Sequence, residues 1–110
     1  MTNKYYNIPT MIDGLTFDSK KEAARYQELK LLQYAGEIGA ILLQPAFPIK
    51  VNDVFICSYY ADFAYPVLAT GETVYEDVKS EITRKDKTYR IKRKLVKALY
   101  GIDIVEVLSA

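Results

Sequence analysis

The sequence Tyr-Glu-Asp-Val-Lys at positions 75–79 is the stretch around which the chain is organised, because it places charges inside an apolar, β-branched and aromatic run that predicts a strand. Side chains alternate faces along a strand, so Asp77 and Lys79 share one face and Glu76 points to the other. Asp62 interrupts a similar apolar run upstream. Because an unpaired charge is costly to bury, something must compensate for these residues. Two acids on neighbouring strands, with a lysine beside them, can hold a divalent metal next to a phosphate.

The segments around this strand predict one α/β domain over residues 1–110, with a mixed sheet of about four or five strands flanked by two helices. Asp13-Gly14 favours a tight hairpin turn, and Ser19 with Glu22 has the spacing of a capping box at a helix start. The predicted order is hairpin, helix, three strands, helix and strand. After a loose arm at 1–9, these elements are predicted at 10–17, 19–35, 38–50, 54–65, 73–79, 87–100 and 102–108.

Composition excludes several function classes. The chain has no histidine, which excludes imidazole acid–base chemistry and histidine-based nuclease sites. Cys57 is the only cysteine, which excludes an internal disulfide and a zinc finger and suits a reducing cytoplasm. No apolar run approaches the roughly 18 residues that span a bilayer, and the N terminus does not resemble a signal peptide. We therefore expect a cytoplasmic protein without a membrane partner.

Positive charge is concentrated between residues 84 and 97. This stretch has eight cationic residues and one acid, a net charge of +7, whereas the whole chain carries +1 and the remainder is therefore −6. A solvated helix face usually explains such a run, but this asymmetry favours a polyanion partner. The cationic residues are Arg84, Lys85, Lys87, Arg90, Lys92, Arg93, Lys94 and Lys97.

Each candidate site residue also has a structural explanation. Asp62 fits a strand-end aspartate that faces water or accepts a backbone hydrogen bond. Asp77 and Lys79 fit an exposed ion pair of little energetic value. Glu22 is already explained by the capping box, but it shares a helix face with Leu29 and faces the sheet if Leu29 packs inward. Spacing alone leaves these interpretations open.

The order of these residues resembles the PD-(D/E)XK nuclease superfamily, with Glu22 on a first helix, Asp62 on a strand, and Asp77 and Lys79 on the next strand, before a basic helix and a final strand. Five short segments also resemble a small phage-encoded family of unknown function within that superfamily, at residues 13–14, 17–22, 44–45, 61–63 and 76–79. The placement of the glutamate is similar to archaeal Holliday junction resolvases and to the nuclease subunit of Tn7-type transposases. Ser80 replaces the glycine of many relatives, which affects only the turn after the strand.

The resemblance implies a restriction-endonuclease-like core and a metal-dependent endodeoxyribonuclease. Asp62 and Asp77 would bind Mg²⁺, with Mn²⁺ as a substitute, together with the backbone carbonyl of Val78. Glu22 would hold that metal through water or help bind a second ion. The metal would lower the pKa of a bound water, and Lys79 would orient that water or balance charge on the phosphorus. The products would carry a 5′-phosphate and a 3′-hydroxyl.

The implied partner is DNA, double-stranded or branched, in recombination, repair or processing. Lys92 is expected to face the site, while the other basic residues contact backbone phosphates. We expect a homodimer if the protein cuts both strands or a junction, and a location in the host-cell cytoplasm if it is phage-encoded. Two alternatives stay open. One is nicking or end-processing in phage recombination or packaging, and the other is a catalytically silent DNA-binding or adaptor module on the same fold.

Overall fold

A four-stranded mixed sheet lies at the centre of the computed structural model, which describes residues 9–108. Most of the predicted arm, residues 1–8, lies outside the described residues. Two helices and several sheets confirm a mixed α+β fold. The elements are β1 (Thr10–Ile12), β2 (Leu15–Phe17), α1 (Lys20–Tyr34), β3 (Leu42–Leu43), β4 (Ala46–Val51), β5 (Val54–Tyr60), β6 (Phe63–Pro66), β7 (Thr73–Lys79), a 3₁₀ turn (Thr83–Lys85), α2 (Lys87–Tyr100) and β8 (Ile104–Leu108).

The central sheet has the strand order β3-β6-β7-β8. β6 pairs antiparallel with both β3 and β7, whereas β7 and β8 are parallel. A parallel pair needs a long crossover connection, and α2 supplies it. The register places Asp77 opposite Glu106 and Lys79 opposite Leu108. The strand predicted at 73–79 is confirmed with the same bounds.

The strand predicted at 54–65 is wrong in one respect, because the chain bends at Ala61 and Asp62 and forms two strands. β5 pairs with β4 in a separate two-stranded ribbon, whereas β6 joins the central sheet. The Ala61 N–H donates to the Pro45 carbonyl of the ribbon side, and the Asp62 N–H donates to the Glu76 carbonyl of β7. Asp62 therefore lies in the bend between two sheets and not inside a strand.

The segment predicted at 38–50 as one irregular strand is likewise divided into β3 and β4. Gln44 lies between them with φ 50°, a left-handed conformation that ends regular strand geometry. The ribbon that follows turns through Asn52 and Asp53, both also left-handed. This pair of positive φ angles is typical of the primed turns that match strand twist, so the predicted turn at 52–53 is confirmed.

Each face of the central sheet is covered by one helix. The α1 side contains the buried residues Phe17, Ala23, Tyr26, Leu29, Ile38, Phe63 and Tyr65. The α2 side contains Phe47, Ile49, Tyr59, Ala61, Tyr89, Val96 and Ile104. Among residues 9–108, no helix is long and apolar enough to cross a membrane.

Side-chain caps set the start of both helices. The Ser19 Oγ accepts a hydrogen bond from the Glu22 N–H at 3.1 Å, which confirms the predicted cap of α1. The Asp86 Oδ2 accepts one from the Tyr89 N–H at 2.9 Å at the start of α2. Gly101, with φ 71°, ends α2 in the left-handed conformation that favours glycine. The first turns of α1 and α2 thus carry Glu22 and Tyr89, both of which are buried.

Candidate functional site

Asp62 is held in place by three hydrogen bonds at the bend before β6. Its N–H donates to the Glu76 carbonyl at 3.0 Å, and its carbonyl accepts from the Gln44 N–H at 3.0 Å. Its carboxylate Oδ2 accepts from the Val78 N–H at 2.7 Å. Because Val78 lies between Asp77 and Lys79, the Asp62 carboxylate is fixed against the part of β7 that carries both.

Asp77 is 2% exposed, and its Oδ2 is buried without a hydrogen-bond partner among the described residues. Burial raises the pKa of Asp77 to about 6, against the opposing effects of the Lys79 charge and the Asp62 backbone N–H. An unpartnered carboxylate oxygen inside a protein is costly. This atom is therefore the strongest single indication of a ligand in the described structure.

Glu22 lies in the first turn of α1 and is 7% exposed. The pKa of Glu22 is raised to about 8, first by burial and then by the negative charges of Asp62, Asp18 and Asp77, while the Lys79 charge opposes the rise. The predicted Ser19 cap of α1 is present, and it is formed with the backbone N–H of Glu22. The Glu22 carboxylate takes no part in that hydrogen bond. Its carboxylate shares an electrostatic environment with the predicted site.

The three acids form one electrostatic cluster, although they come from α1, the bend and β7. Burial also raises the pKa of Asp62 to about 6, where the Val78 N–H and the Lys79 charge oppose it and Asp18 adds to it. Burial is the largest cause that disfavours all three charged carboxylates, neighbouring acids add to it, and a bound cation would favour the charged forms. The predicted residues Glu22, Asp62, Asp77 and Lys79 are thus all brought into mutual electrostatic range.

The donors fit a hard divalent cation such as Mg²⁺ or Mn²⁺, because the cluster offers carboxylate oxygens and a buried Asp77 Oδ2 in need of a partner. Across the described part of the chain, no three His, Cys, Asp or Glu side chains converge closely enough to make a ready-made metal site. Mg²⁺ commonly keeps several waters and takes only one or two carboxylates. Asp62 and Asp77 therefore fit as direct ligands, and Glu22 fits contact through water.

Lys79 lies on the α2 face of β7, where it contacts an aromatic ring. Its Nζ is 4.1 Å from the centroid of the Tyr89 ring. The Tyr89 hydroxyl donates to Glu106 Oε2 at 2.8 Å, and Arg93 pairs with Glu106 Oε1 at 3.3 Å. Since Glu106 is the register partner of Asp77, this network lies beside the acidic cluster.

Glu76 points to the opposite face of β7, as strand alternation predicted. It is 1% exposed and forms two hydrogen bonds with the Arg25 guanidinium, at 2.8 and 3.1 Å. The Tyr65 hydroxyl donates to it at 2.6 Å. Glu76 therefore forms a buried ion pair on the α1 side of the sheet.

The predicted basic residues do not form one uniform surface. Three of them are in ion pairs, namely Arg84 with Glu81, Arg93 with Glu106, and Lys97 with Asp103. Four of them, Arg90, Arg93, Lys94 and Lys97, line a cleft of about 220 Å³ closed by residues 102–104. Lys85 and Lys87 are exposed before and at the start of α2.

Arg93 approaches the acidic cluster from α2. It lowers the pKa of Asp77, and its Nη2 donates to the Ile104 carbonyl at 2.9 Å. Lys92, which was expected to face the site, has its Nζ 3.4 Å from the Ser58 carbonyl on β5. The helical cation coupled to Asp77 is thus Arg93.

Sequence reasoning missed Asp18 and Glu106, and it gave Tyr89 two possible roles, covering the core or stacking on a base or sugar. Glu106 was detectable, because it is a charge in the otherwise apolar final strand, the same signal that identified Asp62. Asp18 precedes the helix cap and carried no signal of its own. Tyr89 is buried, and its hydroxyl partner depends on a parallel register that spacing does not reveal.

The described residues define a mixed α+β protein with an acidic cluster at the junction of a helix, a bend and a central strand. The chain belongs to the protein family of unknown function DUF1064, whose family model matches residues 2–105. This match agrees with the predicted resemblance to a family of unknown function. The relationship to the PD-(D/E)XK nuclease superfamily stays a prediction. No curated protein and no solved structure matches the chain significantly.

Proposed function

We propose that this protein is a metal-dependent endodeoxyribonuclease with a restriction-endonuclease-like core. The observation that carries the proposal is the buried Asp77 Oδ2, which has no hydrogen-bond partner among the described residues and whose carboxylate interacts with the Asp62 backbone and with Lys79. Asp62, Asp77 and Lys79 are two acids and a lysine, which are the groups needed to hold Mg²⁺ next to a phosphate.

The topology supports the same proposal. An antiparallel pair, β6 and β7, is extended by a parallel strand, β8, after the crossover helix α2. The order of a helix, strands, a second helix and a final strand supports the proposal, because it is the order on which the resemblance rests. It brings the end of β7, the bend at Asp62 and the first turn of α1 together.

In the proposed reaction, Asp62 and Asp77 would hold Mg²⁺ or Mn²⁺, with the Val78 carbonyl as a further oxygen ligand. When bound, such a cation would supply a water of lowered pKa and would polarise the scissile phosphate. Glu22 would orient a water at this site; burial and the neighbouring acids raise the pKa of its carboxyl to about 8, and a nearby cation would lower that pKa. Lys79 places positive charge beside the phosphate.

DNA would be held by the basic face of α2. Arg90 and Lys94 lie four residues apart in α2 and line the cleft, so they can face the same phosphate track. A cut in both strands needs two such sites, which would come from a homodimer. A DNA substrate implies a location in the cytoplasm. If the chain is phage-encoded, this is the cytoplasm of the host cell.

Cleavage of supercoiled plasmid and of a four-way junction tests the proposal. We expect cutting with Mg²⁺ or Mn²⁺, none with chelator, and a loss of at least ~100-fold in Asp77→Asn and Lys79→Ala. Matched controls are Asp53→Asn, in the exposed ribbon turn, and Lys30→Ala, on the exposed face of α1, which should cut like the wild type. Cutting that needs no metal, or that survives both site variants, would contradict the proposal.

A second candidate is a DNA-binding or adaptor module that does not cut. It is favoured by the basic cleft, whose lining includes neither Asp62 nor Asp77. The plasmid and junction substrates also separate these functions. Binding by the wild type with no cutting under either metal would support the module, whereas metal-dependent cutting excludes it.

A further inference from the structure

The Tyr89 ring lies directly against the Lys79 ammonium. The distance of 4.1 Å from Nζ to the ring centroid is well inside the roughly 6 Å range of cation–π attraction. A lysine ammonium sits on a flexible four-carbon stem, so its position depends on what it contacts. The buried face of Tyr89 therefore restricts where the Lys79 charge can lie.

Tyr89 is held in position by two hydrogen bonds and by burial. Its hydroxyl donates to Glu106 Oε2, and Glu106 is held in turn by Arg93, whose guanidinium also donates to the Ile104 carbonyl. Its backbone N–H is capped by Asp86. Tyr89 is 7% exposed, so it has little room for another rotamer.

We propose that Tyr89 is the positioning residue for Lys79, through the contact of its buried ring with the ammonium. The proposal rests on the proposed nuclease function, in which Lys79 contacts the scissile phosphate. An uncharged ring attracts the ammonium through its quadrupole, and that attraction does not depend on the charge of the acids. The ring would therefore still hold Lys79 in place if a bound divalent cation neutralised Asp62 and Asp77.

Nuclear magnetic resonance on protein with ¹³C-labelled lysine tests the contact without any DNA. The side-chain methylene protons of Lys79, assigned by their absence in Lys79→Arg, should be shifted upfield of the other lysines by the ring current. The shift should persist in Tyr89→Phe, which keeps the ring, and disappear in Tyr89→Met, which fills the volume without a ring. The control Tyr34→Met, at a position 96% exposed on α1, should leave it unchanged.

Cleavage kinetics with Mg²⁺ test the role. We expect Tyr89→Phe to keep kcat within about threefold, and Tyr89→Met to lose ~10–100-fold in kcat with an unchanged KM for DNA, because a displaced catalytic group slows the reaction without weakening binding. A purely structural role would instead lower the melting temperature and leave kcat per folded molecule unchanged.

Three outcomes would overturn the positioning role. These are an unshifted Lys79 in the wild type, an equal kcat loss in Tyr89→Phe and Tyr89→Met, and a loss confined to KM. The wild-type Lys79 shift is measured without any variant of Tyr89, so it tests the ring contact even if Tyr89→Met does not fold. A shifted Lys79 in a protein that cuts no DNA would overturn the proposed function, while the ring contact itself would stand.

Discussion

The Asp62 carboxylate accepts a hydrogen bond from the Val78 backbone N–H at 2.7 Å, across 16 residues of chain. This bond joins the bend between the ribbon and the central sheet to the C-terminal end of β7. It gives Asp62 two separable roles, one in the fold through an acceptor oxygen and one in the proposed metal site through negative charge.

Substitutions at Asp62 should separate these roles. Asp62→Ala leaves the Val78 N–H without its acceptor and should cost about 1–3 kcal/mol of unfolding free energy. Asp62→Asn keeps an acceptor oxygen and should stay within about 1 kcal/mol of the wild type. We expect Mn²⁺ to raise the melting temperature of the wild type, and both variants should abolish that rise, because the ligand charge is gone.

Urea denaturation and thermal melts with and without Mn²⁺ measure both effects. Asp53→Asn is the matched control, since it makes the same chemical change in an exposed turn and should keep the Mn²⁺ response. An Asp62→Asn protein that still responds to Mn²⁺ would remove Asp62 from the metal site.

The acidic cluster predicts an unusual dependence of stability on pH. The pKa values of Glu22, Asp62 and Asp77 are raised on folding, to about 8, 6 and 6, from ordinary values of 4.5, 3.8 and 3.8. Between those limits the folded state holds more protons than the unfolded state. The contribution of these groups to stability is therefore complete below about pH 4 and falls as the pH rises towards 8.

Without divalent cations, we expect the unfolding free energy to be lower at pH 8.5 than at pH 5 by about 2 kcal/mol or more. Urea denaturation at the two pH values measures this difference. Glu22→Gln should reduce the fall, whereas Glu28→Gln, at an exposed position on the same helix, should not. Added Ca²⁺ should restore part of the stability at pH 8.5. A protein that is more stable at pH 8.5 would contradict the described cluster.

The strands with one clear period were predictable from the sequence. Alternation along 73–79 identified both the bounds of β7 and the opposite faces of Glu76 and Asp77, because one face packs under α1 and the other under α2. The Ser19 cap and the end of α2 at Gly101 followed from local chemistry that tertiary contacts did not override.

The parts that failed depend on contacts distant in sequence. The bend at Ala61 and Asp62 carries no glycine or proline, and it is held by hydrogen bonds to Pro45 and Glu76 that no local pattern shows. In the same way, the pairing of Asp77 with Glu106 depends on a parallel register set by the length of α2. The sequence identifies charged residues within apolar strands. Only the folded structure shows which of these residues lie next to each other.

Breaking the buried ion pair of Arg25 and Glu76 should destabilise the fold. It leaves the proposed metal ligands of the candidate site unchanged. Arg25→Met leaves the Glu76 carboxylate buried with only the Tyr65 hydroxyl, and should cost about 3–5 kcal/mol. The double variant Arg25→Met/Glu76→Gln should cost less than the sum of the single variants, because the orphaned charge is gone.

A double-mutant cycle in urea denaturation measures this coupling. The exposed pair of Arg84 and Glu81 provides the matched control and should couple by less than about 1 kcal/mol. Additive effects at Arg25 and Glu76 would contradict the bidentate contact. A Glu76→Gln protein that failed to respond to Mn²⁺ would show that Glu76, and not Asp77, faces the metal.

The ion pairs of α2 determine which of its cations are best placed to bind DNA. Arg93 and Lys97 are engaged with Glu106 and Asp103, so neutralising them also disturbs the fold. Arg90 and Lys94 are exposed on the cleft between them. A test of DNA binding is therefore cleanest at Arg90 and Lys94.

We expect Arg90→Gln/Lys94→Gln to weaken DNA binding and to reduce the slope of log K against log salt by about 2, because each of the two side chains would neutralise one DNA phosphate. Fluorescence anisotropy with labelled duplex DNA at several salt concentrations measures the slope. The control Lys30→Gln/Lys50→Gln removes the same net charge from exposed positions on α1 and β4 and should leave the slope unchanged. An equal fall in the control would mean that net charge explains binding, whereas a fall confined to the α2 variant places the DNA backbone on this cleft.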